Sequence, residues 1–431
     1  MTFAPSDSSP AELSCLLVAI VLIAARCMAQ FRLTQLNQQH LRAQAGKVPE
    51  ALCGVMDEAT YRRSVDYTQA GGRLSQCENS FDALALLLVL LSGVLPWSFR
   101  AVQEHAGNSA WAMAGFLFAV GVVMAVAHLP LDWYDQFKHE ARFGFNTTTP
   151  QTWWLDRMKT FLLALLLGYP LLVLMLKLVE WTGAGWWLWA WSAMMGFQLL
   201  MMVIAPVLIL PLFNKFTPLP EGPLRERLQQ LAGRTKFHAR SIQVMDGSRR
   251  SRHSNAFFMG LGRFRKIVLF DTLIAQLSEP ELEAVLAHEI GHYQRKHIPK
   301  LIAWSALLSL AAFATLGLLA RQDWFYGAFG FAPGNVTPAL LLFALLAGTV
   351  TFWLSPLQNW WARKFEYEAD AFAANAVGAG QPLVTALRKL HEKNLSNLTP
   401  HPAYSGFYYS HPTLLERERA LSGRTAEIAP A

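Results

Sequence analysis

The sequence predicts a mainly α-helical, polytopic membrane protein: seven transmembrane helices joined to a polar unit that carries an HExxH metal motif and a small β-sheet. Three observations predict this class. Of the 431 residues, 53% are hydrophobic and only 16% charged, whereas a soluble globular chain carries about a quarter charged residues. Seven apolar stretches are long enough for the helix of about 20 residues that crosses a bilayer. The loops between them alternate between rich and poor in Lys and Arg, as loops on opposite membrane faces do.

The apolar stretches lie near 11–31, 80–98, 110–131, 159–179, 185–211, 301–320 and 337–356. Lys177 stands near one end of the fourth, where its stem lets the ammonium snorkel to the headgroups. Trp186, Trp187, Trp189 and Trp191 rim the fifth as an aromatic belt. The 32–79 loop carries Arg32, Arg42, Lys47, Arg62, Arg63 and Arg73, and the 99–109 loop only Arg100. The 132–158 loop again holds Lys138, Arg142 and Arg157, whereas 180–184 has no base. The 212–300 segment has fifteen bases, and 321–336 only Arg321. Basic loops favour the cytoplasmic side, so the N-terminus is expected outside and the C-terminus inside. This distribution accounts for the net charge of +7 without nucleic acid, which is not an expected partner. The start "MTFAPSDSSPAE" is acidic, with Arg26 and Arg32 following the first apolar run. That order describes a span entering from outside, not a cleaved leader. Cys15, Cys27, Cys53 and Cys77 fit no metal-binding spacing and read as reduced thiols.

The chain therefore divides into a membrane region with five spans (1–211), a first polar segment (212–300), spans six and seven (301–356), and a second polar segment (357–431). In the first polar segment "SIQVMDG", "NAFFMG" and "KIVLFDTL" are short, β-rich and separated by turn residues, which predicts a small sheet. "SEPELEAVLAHEIGHYQRKH" then reads as a helix: Ser278 caps it, Pro280 suits its first turn, and Glu281 stands three residues past the cap.

Within that helix His288 and His292, four apart, project from one face a turn apart. Two imidazoles at that spacing can hold one zinc ion. Glu289, about 100° round the helix, reaches the adjoining space without sharing the coordination position, which suits a general base. A catalytic zinc takes a third protein ligand and keeps its fourth position open. Just past the seventh apolar run stands "ARKFEYEADAFAANA". Glu366 and Asp370 share a helix face, so Glu366 can ligate while Asp370 orients a ligand histidine through its second ring nitrogen. Glu368 lies about 200° from Glu366 and cannot face the metal with it. Spacing alone does not choose between the two, but the partner at Asp370 favours Glu366. His297, nine residues past His288, falls on the opposite face and reads as a lipid-surface or structural histidine, not a ligand. His128 and His139 receive no role. The N-x-[ST] triplets at Asn146, Asn394 and Asn397 fall on the expected cytoplasmic side and should carry no glycan.

The sequence resembles the type I CAAX prenyl protease family over nearly its whole length. The resemblance is carried by "HEARFGFNTTTPQTWWLDRMKT", "VMDGSRRSRHSNAFFMGLGRFRKIVLFDTL", "LAHEIGHYQRKH", "FEYEADAFA" and "SHPTLLERERAL", in the family's order and spacing. It implies one Zn2+ per chain held by His288, His292 and Glu366, with Glu289 as catalytic base and Asp370 behind the ligands. It implies that Asn255 and Ala256 align substrate as an added strand, and that His411 and Arg417 bind substrate or stabilise the oxyanion. It further implies seven helices around a chamber, embedding in the lipid bilayer, and a peptide substrate prenylated at its C-terminus; the oligomeric state is left open. Two competing readings are a quality-control membrane protease of the same superfamily acting on non-prenylated substrates, and a transporter or binding scaffold with an incidental metal site. The number of apolar runs disfavours the first. The second would show inverted repeats or intramembrane charge pairs, and the sequence suggests neither.

Overall fold

The computed structural model describes residues 9–45, 48–49, 55–237, 241–259 and 266–428. Six helical stretches among them are long and apolar enough to cross a membrane: Pro10–Gln44, Glu58–Leu91, Ala110–Glu140, Pro150–Phe213, His297–Leu319 and Val336–Val377. The expected fourth and fifth spans both fall in Pro150–Phe213. Its 64 residues would make a straight rod of about 96 Å at 1.5 Å per residue, about three times the hydrocarbon thickness of a bilayer. Gly183 breaks it. Its φ of 55° lies in the left-handed region that glycine enters cheaply, and the helices on either side, Tyr169–Thr182 and Trp186–Ile204, pack against each other.

The outer faces of these helices expose large apolar side chains, including Leu17, Val18, Leu84, Leu166, Trp181 and Leu307. So much exposed apolar surface fits contact with lipid, where exposure costs nothing. Between the helices a second apolar cluster is buried around Met113, Phe116, Trp186, Tyr326, Phe329 and Leu342. An internal cavity of about 620 Å³ opens among them, with Arg26, Gln30, Asn79 and Asp82 interrupting its apolar wall. Cys15, Cys27 and Cys77 are free thiols, as expected; Cys53 lies outside the described residues.

The expected sheet forms with one strand more than the sequence suggested. Its strands are β1 (Phe216–Pro218), β2 (Ser241–Met245), β3 (Ala256–Met259) and β4 (Lys266–Phe270), in the order β1-β2-β4-β3. β2 and β4 run parallel, with Ile242 opposite Ile267 and Val244 opposite Leu269. β1 and β3 flank them antiparallel. β1 has three residues, too few for an alternating pattern to stand out. The HExxH helix, Glu279–Gln294, packs against β3, the edge strand.

The two polar segments share one core. Ile267, Leu269, Leu282, Leu286 and Ile290 of the first pack with Ala373, Leu383, Leu387 and Leu414 of the second. The HExxH helix crosses the helix Ser355–Val377 closely at Gly291: a Cβ built there would sit 2.9 Å from Ala369 Cα. At its N-terminus the capping box forms as expected, the Ser278 N–H donating to Glu281 Oε2 at 2.8 Å. Lys389 Nζ closes on the same oxygen at 2.8 Å.

The position of this unit beside the membrane follows from helix length. Val336–Val377 is a 42-residue stretch, and a bilayer consumes about 20 residues of it. The remaining half of the stretch, which carries Glu366, is length that the span does not need.

Candidate metal centre

Three of the expected donors converge. His292 Nε2 lies 3.2 Å from His288 Nε2 and 3.2 Å from Glu366 Oε1. His288 Nε2 lies 3.4 Å from Glu366 Oε2. A tetrahedron with ligands about 2.0–2.1 Å from its centre has edges of about 3.3–3.4 Å, so these separations suit one small cation between them. The polarity agrees. Asp370 Oδ1 accepts from His288 Nδ1 at 2.8 Å, which leaves the Nε2 lone pair directed at the other donors. Glu366 Oε2 is buried with no hydrogen-bond partner among the described residues. Bare lone pairs packed together repel unless a cation sits among them, so the residues fit a metal.

Periodicity and helix crossing bring these side chains together. His288 and His292 share a face of the HExxH helix, and the close approach at Gly291 presses that face against the helix bearing Glu366 and Asp370. The choice between Glu366 and Glu368 is decided by direction: Glu368 Oε2 instead lies 3.1 Å from His297 Nε2. Glu289 remains partly accessible, and no hydrogen bond among the described residues holds its carboxyl. Burial raises its pKa, and the neighbouring imidazoles oppose that rise.

Arg417 arrives from the helix Leu414–Ile428 and is buried. Its Nε donates to Asp370 Oδ2 at 2.8 Å, and its Nη2 donates to Asp370 Oδ1. Burial alone would ease proton loss from this guanidinium, but Asp370 overrides it and raises the pKa. Nη1 stands 3.8 Å from Glu366 Oε2. His411 Nε2 lies 3.4 Å from Glu366 Oε1, its Nδ1 lies 3.0 Å from Ser410 Oγ, and its side chain is 64% exposed. Asn255 is exposed at the head of β3, its Oδ1 accepting from the Ala256 N–H at 2.8 Å. Its backbone carbonyl accepts from Phe270 N–H at 3.2 Å.

His297 departs from the opposite-face position that its spacing suggested and turns toward His292. The side chain is 1% exposed, and its Nδ1 lies 3.0 Å from His292 Nδ1. An unbroken helix would set the two rings about 140° apart. The chain turns instead at Lys296, whose φ of 57° and ψ of 38° are left-handed. The available signal was "QRKH", a basic stretch of the kind that ends helices, directly before an apolar run. Two further histidines given no role also sit among carboxylates. His139 groups with Asp135 and Glu140 on the π-helical turn Asp135–Glu140, and His128 lies between Asp82 and Asp132. The amide oxygens of Asn146, Asn394 and Asn397 are all engaged in hydrogen bonds.

Fold and site together define a multi-pass membrane metallopeptidase. Residues 37–215 match the family model described as CAAX prenyl protease N-terminal, five membrane helices, and residues 218–425 match peptidase family M48. The CAAX prenyl protease 1 homolog of Oryza sativa subsp. japonica is 36% identical over 395 residues, covering 89% of this chain and 92% of the relative. CAAX prenyl protease 1 of Saccharomyces cerevisiae is 35% identical over 434 residues, covering 93% and 94%. The crystal structure of S. mikatae Ste24p superposes with a TM-score of 0.89 at 33% identity, covering 94% of this chain and 99% of that one. The chain belongs to the CAAX prenyl protease 1 family of M48 peptidases, and it is an integral-membrane metalloendopeptidase.

Proposed function

We propose that the chain binds one zinc ion through His288, His292 and Glu366 and uses it to cleave peptides near a prenylated C-terminus. The observation that carries the reading is the convergence of three donor atoms at 3.2–3.4 Å with their lone pairs inward. When bound, zinc supplies Lewis acidity, polarising a carbonyl oxygen and lowering the pKa of water from 15.7 toward about 7. Glu289 takes the proton from the attacking water and returns it to the leaving amine. A carboxyl whose proton affinity is raised by burial suits that two-way role. Asp370 holds the His288 ring by its Nδ1, and Arg417 holds Asp370.

His411 is better situated than Arg417 to donate to the developing oxyanion. Its Nε2 is near Glu366 on an exposed ring, whereas Arg417 commits two nitrogens to Asp370. Asn255 and Ala256 open an edge strand beside the HExxH helix, which supports substrate pairing there as an added strand. The prenylated substrate class rests on the names of the relatives; the alternation of loop charge supports cytoplasmic catalytic segments. The deciding experiment incubates purified protein with a farnesylated C-a-a-X peptide and an unprenylated peptide of equal length, with and without chelator. Preferential, chelator-sensitive cleavage of the first is expected. Equal cleavage of both would point to general membrane proteolysis.

A further inference from the structure

His288 has its carboxylate partner directly, in Asp370. Among the described residues His292 has none on its Nδ1; it meets another imidazole, that of His297, at 3.0 Å. His297 in turn meets a carboxylate, with Nε2 3.1 Å from Glu368 Oε2. The direction of every proton in this chain follows from its outer end. An ionised carboxylate only accepts, so the His297 Nε2 carries hydrogen and donates to Glu368. A neutral imidazole has one N–H, so His297 Nδ1 accepts. His292 Nδ1 must then be the donor, which leaves His292 Nε2 bare and facing His288 Nε2 and Glu366.

The ring of His297 is itself fixed. It stacks on Phe365, with centroids 4.2 Å apart and planes 12° apart, and is 1% exposed. The left-handed turn at Lys296, a conformation that non-glycine residues rarely adopt, directs it back toward His292. We propose that His297 and Glu368 are positioning residues: a relay that sets the tautomer and ring orientation of His292 and so slows the loss of the metal. This deepens the assignment of His292 as a ligand and rests on it.

The test uses full-length purified protein loaded with zinc or with Co2+. It reads the rate of metal loss to excess chelator and the visible spectrum of the Co2+ form. His297→Phe keeps an aromatic ring to stack on Phe365 but removes both hydrogen bonds. It should lose metal roughly 10–100-fold faster and shift the Co2+ bands. Glu368→Ala should accelerate loss in the same direction, whereas Glu368→Gln, whose amide oxygen still accepts from His297, should stay near wild type. The double variant His297→Phe with Glu368→Ala should be no worse than His297→Phe alone, because Glu368 acts through His297. A folded His297→Phe protein with wild-type metal loss and spectrum overturns the relay. If that variant does not fold, equal rates for Glu368→Ala, Glu368→Gln and wild type overturn it instead. A wild-type chain that takes up neither metal overturns the ligand assignment beneath it.

Discussion

Single residues divide the labour of the site in a way that can be separated experimentally. Glu289 carries no ligand duty in the proposed mechanism, so Glu289→Gln is expected to retain zinc by elemental analysis while cleavage falls at least about a hundredfold. Glu366→Ala, by contrast, should purify without stoichiometric metal. A third residue bears on stability. Burial, reinforced by Arg417 and His411, lowers the pKa of His391 to about 4. Between its ordinary value of about 6.5 and 4 the unfolded chain binds a proton that the folded chain refuses. Stability contributed by neutral His391 is complete above that window and is lost as pH falls through it. Denaturant titrations should therefore show a stability loss below pH 6.5 that is smaller in His391→Gln.

At the scale of elements, the site depends on how closely two helices cross. Gly291 has no room for a β-carbon, because the atoms it would meet at 2.9 and 3.0 Å are backbone atoms of Ala369, which cannot swing aside. Gly291→Ala is expected to destabilise the fold by about 1–3 kcal/mol and to weaken metal retention, since the same crossing sets the distance from His292 to Glu366. Thermal unfolding and chelator-competition measurements on one preparation check both. The helix containing His288 was readable because its cap, Ser278 with Glu281, and the four-residue histidine spacing are local signals. Strand β1 was not readable: three residues pair with β2 only because the chain returns there.

At the scale of the whole molecule, the proposed metal ligands come from two segments separated by two apolar helices, and each segment is continuous with one of those helices. The HExxH helix ends at Gln294 and the apolar helix begins at His297; the other ligand stands on the extension of Val336–Thr351. The candidate site is therefore built directly at the ends of two apolar helices. Protease-cleavable tags test the orientation inferred from loop charge. In sealed vesicles with the cytoplasmic face outward, a C-terminal tag should be cut and an N-terminal tag protected.

The membrane class, the HExxH helix, the pairing of His288 with His292 around Glu289, and the candidates for the third donor were legible in the primary structure. Each follows from composition or from helical period, and both are properties of consecutive residues. Packing between distant segments settles that Glu366 turns inward while Glu368 turns to His297, that Arg417 grips Asp370, and that two apolar runs join in one doubled-back helical stretch. Those outcomes depend on a left-handed residue at Lys296, a break at Gly183 and a close crossing at Gly291. Local residues such as "QRKH" and Gly183 mark where the chain can turn, but which partners the turn brings together arises from packing between distant segments.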